Sequence, residues 1–248
     1  MVAQYMEDKV RPTFSGNVVI ANLNASRRYA LNIKGISYKT EWVEYPDIEA
    51  IAKKIGAPPT VMTDGTPGYA VPIISDPNTG KVISDSFLIA EYLDATYPNG
   101  KTLFPSGTKP LLAAFESGII NALSGVFLLL LIATYDILNP SSKVYFKRTR
   151  EDRFGKKLEE FSPAGKRDAD VAKGKVGLDT VDGWLAKSEG KFVLGDTISY
   201  ADGILSGWLT WIKITDSEVW KDVATWHNGR WATYLENMEK AGYASVVV

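Results

Sequence analysis

The chain has 248 residues, 45% hydrophobic content and a formal net charge of −1, which describes a folded protein with a sizeable core and not a disordered one. A near-neutral balance gives no electrostatic reason to expect nucleic acid. With no cysteine, disulfides, thiolate metal sites and a cysteine nucleophile are excluded, and the single histidine, His227, argues against a His-based metal site or a hydrolase triad.

Residues 1–14 carry Glu7, Asp8, Lys9 and Arg11 and lack the apolar core of a secretory signal. Residues 17–21 read as a strand, and 26–34 as a helix with Tyr29, Ala30 and Ile33 on one face and Gly35 as its stop. Residues 38–43 alternate as a second strand, and 48–55 form a short helix ended by Gly56 and Pro58-Pro59. Pro72 then interrupts the apolar run Tyr69-Ala70-Val71-Pro72-Ile73-Ile74. A central strand does not lose a ladder donor cheaply, so an edge, a strand start or a special peptide geometry is expected there. The turn Asp76-Pro77-Asn78-Thr79-Gly80 predicts a hairpin into Val82-Ile83-Ser84. From Asp85 a helix follows, with Leu88, Ile89, Tyr92 and Leu93 at apolar spacing. The order βαβαββα is the thioredoxin-like pattern, a mixed sheet with helices on both faces.

Tyr97-Pro98-Asn99-Gly100 and Phe104-Pro105-Ser106-Gly107 punctuate a linker, after which the pattern becomes helical without strand signals. The expected domains are 1–100, thioredoxin-like, and 108–248, all-helical. The uncharged run 118–135 sits at the short limit for a bilayer span, about 17–25 residues. Asn121, Ser124, Gly125 and Thr134 interrupt it and no Lys or Arg flanks it, so it reads as a buried central helix. Residues 143–175 are densely charged. A basic binding patch is one reading there, but the interleaved signs favour a solvated helix face. Ser199 and Asp202 have capping-box spacing ahead of an apolar helix over 203–214. Trp226, His227 and Trp231 read as structural.

The candidate chemistry lies at Asp85-Ser86. A strand that gives way to a helix presents unpaired N–H groups, which suit a carboxylate ligand. Ser86 adds a hydroxyl donor and Asp85 a partner for an ammonium, although the same pair also serves as an ordinary helix cap.

This arrangement is similar to the glutathione-binding half of glutathione transferases, in which a Val-Pro pair with a cis bond binds the peptide's cysteinyl backbone and an acidic-Ser pair grips its γ-glutamyl end. The strings Arg28-Tyr29-Ala30-Leu31-Asn32-Ile33-Lys34-Gly35, Tyr38-Lys39-Thr40-Glu41-Trp42-Val43-Glu44-Tyr45-Pro46-Asp47-Ile48 and Asp85-Ser86-Phe87-Leu88-Ile89-Ala90-Glu91-Tyr92-Leu93 resemble the fungal-specific class A of wood-degrading fungi, related to bacterial glutathione-dependent etherases. The resemblance covers most of 17–105 closely and 108–248 more loosely. It implies glutathione as co-substrate, with no metal, bound by Val71, Pro72, Asp85 and Ser86. It also implies a cytoplasmic homodimer with a neighbouring hydrophobic site, acting apart from nucleic acid and membranes.

Members of this class commonly place a Ser just after the first strand. The ungapped equivalent here runs from Ala21, so Ala21 falls on that Ser. The remaining candidates to stabilise the thiolate are Asn24, Ser26 and backbone N–H groups opening the first helix, and Asn24 and Ser26 are equally residues that cap helices. Phe127, Tyr135, Trp208 and Trp211 are the candidates for the hydrophobic site. Three readings follow. The first is an enzyme that conjugates glutathione to aromatic electrophiles, or cleaves with it, in detoxification of xenobiotic and wood compounds. The second is a ligandin that binds plant polyphenols with little chemistry. The third is a transferase-like scaffold, against which the intact Asp85-Ser86 pair argues.

Overall fold

The computed structural model describes residues 17–21, 28–62, 65–163 and 165–243. β1 (Asn17–Ala21), α1 (Arg28–Lys34), β2 (Tyr38–Trp42) and α2 (Ile48–Lys54) open the chain, with a 3-10 turn at Tyr45–Asp47. A two-stranded ribbon, β3 (Thr60–Val61) with β4 (Pro67–Gly68), precedes β5 (Ile73–Asp76), β6 (Lys81–Ser84) and α3 (Ser86–Thr96). The main sheet has the order β2-β1-β5-β6, with β1 parallel to β2 and the other pairs antiparallel. Apart from the ribbon, this is the βαβαββα order that the sequence predicts. Pro72 resolves its conflict with the sheet by lying just before β5, where no ladder donor is needed.

Six helices follow among the described residues: α4 (Lys109–Ala122), α5 (Ser124–Ile137), α6 (Pro140–Phe154), α7 (Arg167–Leu185), α8 (Tyr200–Thr215) and α9 (Ser217–Lys240). The uncharged run 118–135 is therefore not one central helix. It breaks at Leu123, where α4 and α5 meet at a 73° bend, and no single described helix is long and apolar enough to cross a membrane. The bend coincides with tight packing on α7. A Cβ on Gly125 would fall 2.7 Å from that of Lys173, and one on Gly177 would fall 2.1 Å from the Ala122 carbonyl oxygen. Side-chain-free crossings on both sides of the bend let α7 lie against both helices, and Val126, Leu129 and Leu130 are buried there.

One core joins α1 and α3 to the helical part: Leu31, Ile89 and Leu93 share a cluster with Leu123, Leu130, Val181, Leu205 and Trp231. The Ser199–Asp202 box anchors α8. Asp202 is fully buried and accepts from Ser199 N (2.8 Å), Ser199 Oγ (2.9 Å), Val193 N (2.8 Å) and the Tyr234 hydroxyl. Burial raises its pKa against those donors. Asp94 fixes the linker to α1 by accepting from Leu103 N, Phe104 N, Thr102 Oγ1 and the buried ammonium of Lys34. Trp231 is wholly buried and donates to His227 Nδ1 at 2.9 Å, in keeping with a structural reading of both.

Candidate functional site

Ile73 pairs with Ser84 as the last rung of the β5–β6 ladder, so Pro72 and Asp85 are the next residues on the two chains at the same end of the sheet. Val71 and Pro72 are buried, and the peptide between them is cis. Val71 packs with Val43, Ile48, Ala52, Ala57 and Ile73.

Across from it, Asp85 has φ 77° and ψ 135°, a left-sided conformation that a non-glycine residue holds at a cost of about 1–3 kcal/mol. The conformation turns the chain from β6 directly into α3 and aims the Asp85 carboxylate back at the helix. Its Oδ1 accepts from Phe87 N (2.8 Å) and Leu88 N (3.1 Å), which satisfies two of the first-turn donors. Asp85 Oδ2 and the Ser86 hydroxyl have no hydrogen-bond partner among the described residues, and both side chains are half-buried. A half-shielded hydroxyl and a carboxylate oxygen stand side by side at the positive end of an 11-residue helix: chemically, the first suits a carboxylate and the second an ammonium.

The sequence-predicted aromatic residues gather elsewhere in the fold. The Phe127 ring centroid lies 5.8 Å from Trp211 and 6.4 Å from Trp208, whose rings are 5.3 Å apart. Trp211 Nε1 donates to Thr134 Oγ1 at 2.8 Å, which gives the indole its polar partner and fixes the ring. Phe127, Tyr135 and Trp211 pack on the cluster of Leu131, Phe146, Leu158 and Phe161. Tyr45 packs against both this cluster and the cluster that contains Val71, so its side chain links the two. The Tyr45 backbone N–H is held by Ser142 Oγ at 2.9 Å, and the Glu44 carboxylate accepts from Asn139 and Ser142 at the start of α6. Sequence reasoning missed Tyr45, Glu44 and Ser142, because their partnership joins residues far apart in the chain.

Asn24 and Ser26, the predicted thiolate-stabilising residues, lie outside the described residues; Ala21 closes β1. An open crevice of about 500 Å³ beside α6 is lined by the charged residues Lys147, Glu151, Lys157, Glu159 and Glu160. Among the described residues no group of three or more His, Asp or Glu could hold a metal ion.

A thioredoxin-like half with a cis Val71–Pro72 peptide beside an Asp85-capped helix, followed by an all-helical half with an aromatic cluster, defines a glutathione-transferase architecture. Comparison with known proteins agrees. Residues 27–96 match the glutathione S-transferase N-terminal domain and residues 110–242 the C-terminal domain. A glutathione S-transferase of Ceriporiopsis subvermispora, solved in complex with glutathione, is 41% identical with a TM-score of 0.85, covering 94% of this chain and 99% of that one. Glutathione transferase GSTFuA3 of Phanerochaete chrysosporium is 35% identical with a TM-score of 0.84, over 94% and 99% of the two chains. The glutathione S-transferase-like protein ustS of Aspergillus flavus is 33% identical over 233 residues, 87% of this chain and 83% of that protein. The chain belongs to the glutathione S-transferase family, close to its fungal GSTFuA members.

Proposed function

We propose that this protein binds glutathione at the Val71–Pro72 and Asp85–Ser86 end of its sheet and directs the peptide's thiolate at hydrophobic aromatic electrophiles, by conjugation or by cleavage, in detoxification. The observation that carries the reading is the receptor at α3: Asp85 caps the helix with one oxygen and keeps the other available, beside a Ser86 hydroxyl with no internal partner. In this reading Ser86 donates to the γ-glutamyl carboxylate, reinforced by the helix N-terminus, and Asp85 Oδ2 accepts from the ammonium. The Val71 main chain pairs with the cysteinyl backbone, as an added strand would. Residues 1–100 then form the glutathione domain, and 108–248 supply Phe127, Tyr135, Trp208 and Trp211 to the aromatic ligand. The working form is a cytoplasmic homodimer.

Glutathione's thiol has a pKa near ~8.5, so the protein must favour the anion. Asn24, Ser26 or first-helix N–H groups supply that donor. One charge-assisted hydrogen bond contributes about 1.5–3 kcal/mol, roughly one to two pKa units. A second reading, a ligandin that holds polyphenols without turnover, is favoured by one feature, Ala21 in place of a hydroxyl residue. Thiolate absorbance of protein-bound glutathione at neutral pH separates them. A thiolate band with binding supports the enzyme, binding without the band supports the ligandin, and absence of binding refutes both.

A further inference from the structure

We propose that Arg150 anchors the carboxylate of an aromatic acid whose ring lies against the neighbouring aromatic cluster. This deepens the aromatic-ligand reading above and rests on it for the position of the ring.

The basis is an imbalance along α6 and the turn after it. Lys143, Arg148, Arg150, Arg153 and Lys156 each lie over an aromatic ring: Tyr135 at 5.1 Å, Tyr145 at 5.6 Å, Phe146 at 4.2 Å, Phe154 at 5.2 Å and Phe161 at 5.2 Å respectively. None of these cations has a carboxylate within 4.0 Å among the described residues. The nearby glutamates are already engaged: Glu159 with Lys147, Glu160 with Lys157 N, and Glu151 with Leu158 N. Lys143, Arg148, Arg150, Arg153 and Lys156 therefore lack counter-charges among the described residues, while Glu151, Glu159 and Glu160 are engaged elsewhere.

Arg150 is the most enclosed of the set. Its guanidinium lies 4.2 Å from the Phe146 centroid and 5.3 Å from that of Tyr45, and its one hydrogen bond among the described residues runs from Nη1 to Thr149 Oγ1 at 2.9 Å. Burial lowers its pKa, partly opposed by Tyr45, yet an arginine remains charged at neutral pH. A guanidinium taken out of water and stacked on rings retains a planar fork of unused donors. That fork matches a carboxylate, and partial desolvation strengthens the pairing. Position supplies the other half of the ligand. Phe146, Arg150 and Phe154 fall at i, i+4 and i+8 on one face of α6. Phe154 lies 6.5 Å from Phe127, which leads to Trp211. A flat ring on that side places a ring-attached carboxylate one helical turn away, at Arg150.

The test is calorimetric titration of naphthoate and its neutral amide, naphthamide, into wild type, Arg150→Met and Arg150→Lys. Naphthoate is expected to bind wild type about 10- to 100-fold tighter than naphthamide. Arg150→Met should erase that difference while leaving naphthamide affinity unchanged, and Arg150→Lys should keep part of it, lacking the planar fork. Equal affinity of the two probes for wild type, binding of neither, or equal weakening of both by Arg150→Met overturns the proposal. Glutathione-induced thermal stabilisation is measured on the same proteins. If it is absent throughout while the naphthoate preference stands, the glutathione reading fails and the anchor survives.

Discussion

Tyr45 and Phe146 meet edge to face, with ring centroids 5.4 Å apart and planes at 76°. Tyr45 follows β2 in the thioredoxin-like half and Phe146 lies in α6 of the helical half, so the pair joins the two halves. The same tyrosine also lies 5.3 Å from the Arg150 guanidinium, and its main chain is held by Ser142. The Phe146 ring and the Arg150 cation stacked beside it leave Tyr45 little freedom.

Tyr45→Ala should therefore act in two places. Loss of the edge contact costs about 0.5–1.5 kcal/mol beyond the lost burial, read as a lower unfolding midpoint in urea. Aromatic-ligand affinity should fall in parallel. A variant with unchanged midpoint and affinity would show that the halves are held together without this ring.

The α4–α7 crossing gives a sharper contrast. A Cβ at Gly177 would fall 2.1 Å from the Ala122 carbonyl oxygen, a backbone atom with no room to yield, whereas at Gly183 on the same helix nothing lies within 4 Å. Gly177→Ala should destabilise by about 1–3 kcal/mol or more, and Gly183→Ala should stabilise by about 0.5–1 kcal/mol through helix propensity. Thermal melts of the two variants check the signs, and equal shifts would refute the close approach.

Acid stability should trace to Asp94 and Asp76. Burial alone would raise the Asp94 pKa. The Leu103 and Phe104 N–H groups, the Thr102 hydroxyl and the Lys34 ammonium outweigh it and hold the pKa below the ordinary value of 3.8. Asp76 is held low in the same way, burial being outweighed by the Tyr92 and Tyr97 hydroxyls, each at 2.5 Å. A carboxylate with a lower pKa folded than unfolded binds fewer protons in the native state between the two values. Its stabilisation is complete above 3.8 and is lost as pH falls through the folded pKa. Wild type should thus exceed Asp94→Asn in stability at neutral pH, and the gap should narrow as pH drops below 3.8. Urea unfolding across that range measures it; a constant gap would contradict the assignment.

How much of this was legible follows the range of each interaction. The Val71-Pro72 and Asp85-Ser86 pairs announce themselves because each is local: a proline against a strand, and a cap ahead of apolar spacing. The Ser199-Asp202 box is legible for the same reason. The break at Leu123 is not, because the apolar run continues through it and only the glycine contacts with α7, far along the chain, require the bend. The β3–β4 ribbon is too short to leave a period. In α6 the interleaved signs suggest a solvated face. Arg148, Asp152 and Arg153 are indeed exposed; what charge order alone cannot reveal is that several of the cations lie over rings and that Glu151 and Glu160 accept from backbone N–H groups. The left-handed turn at His227, Asn228 and Gly229 inside α9 likewise carries little sequence signal beyond Asn-Gly.

The most direct test is glutathione affinity of Ser86→Ala against wild type by calorimetry, with the unfolding midpoint of the free proteins as control. Because the Ser86 hydroxyl has no internal partner among the described residues, its removal should change free-protein stability by no more than about 0.5 kcal/mol. Glutathione should then bind about tenfold more weakly or worse, the loss of a hydrogen bond to a charged group. Unchanged affinity in the variant would contradict the assignment of this helix end as the glutathione receptor.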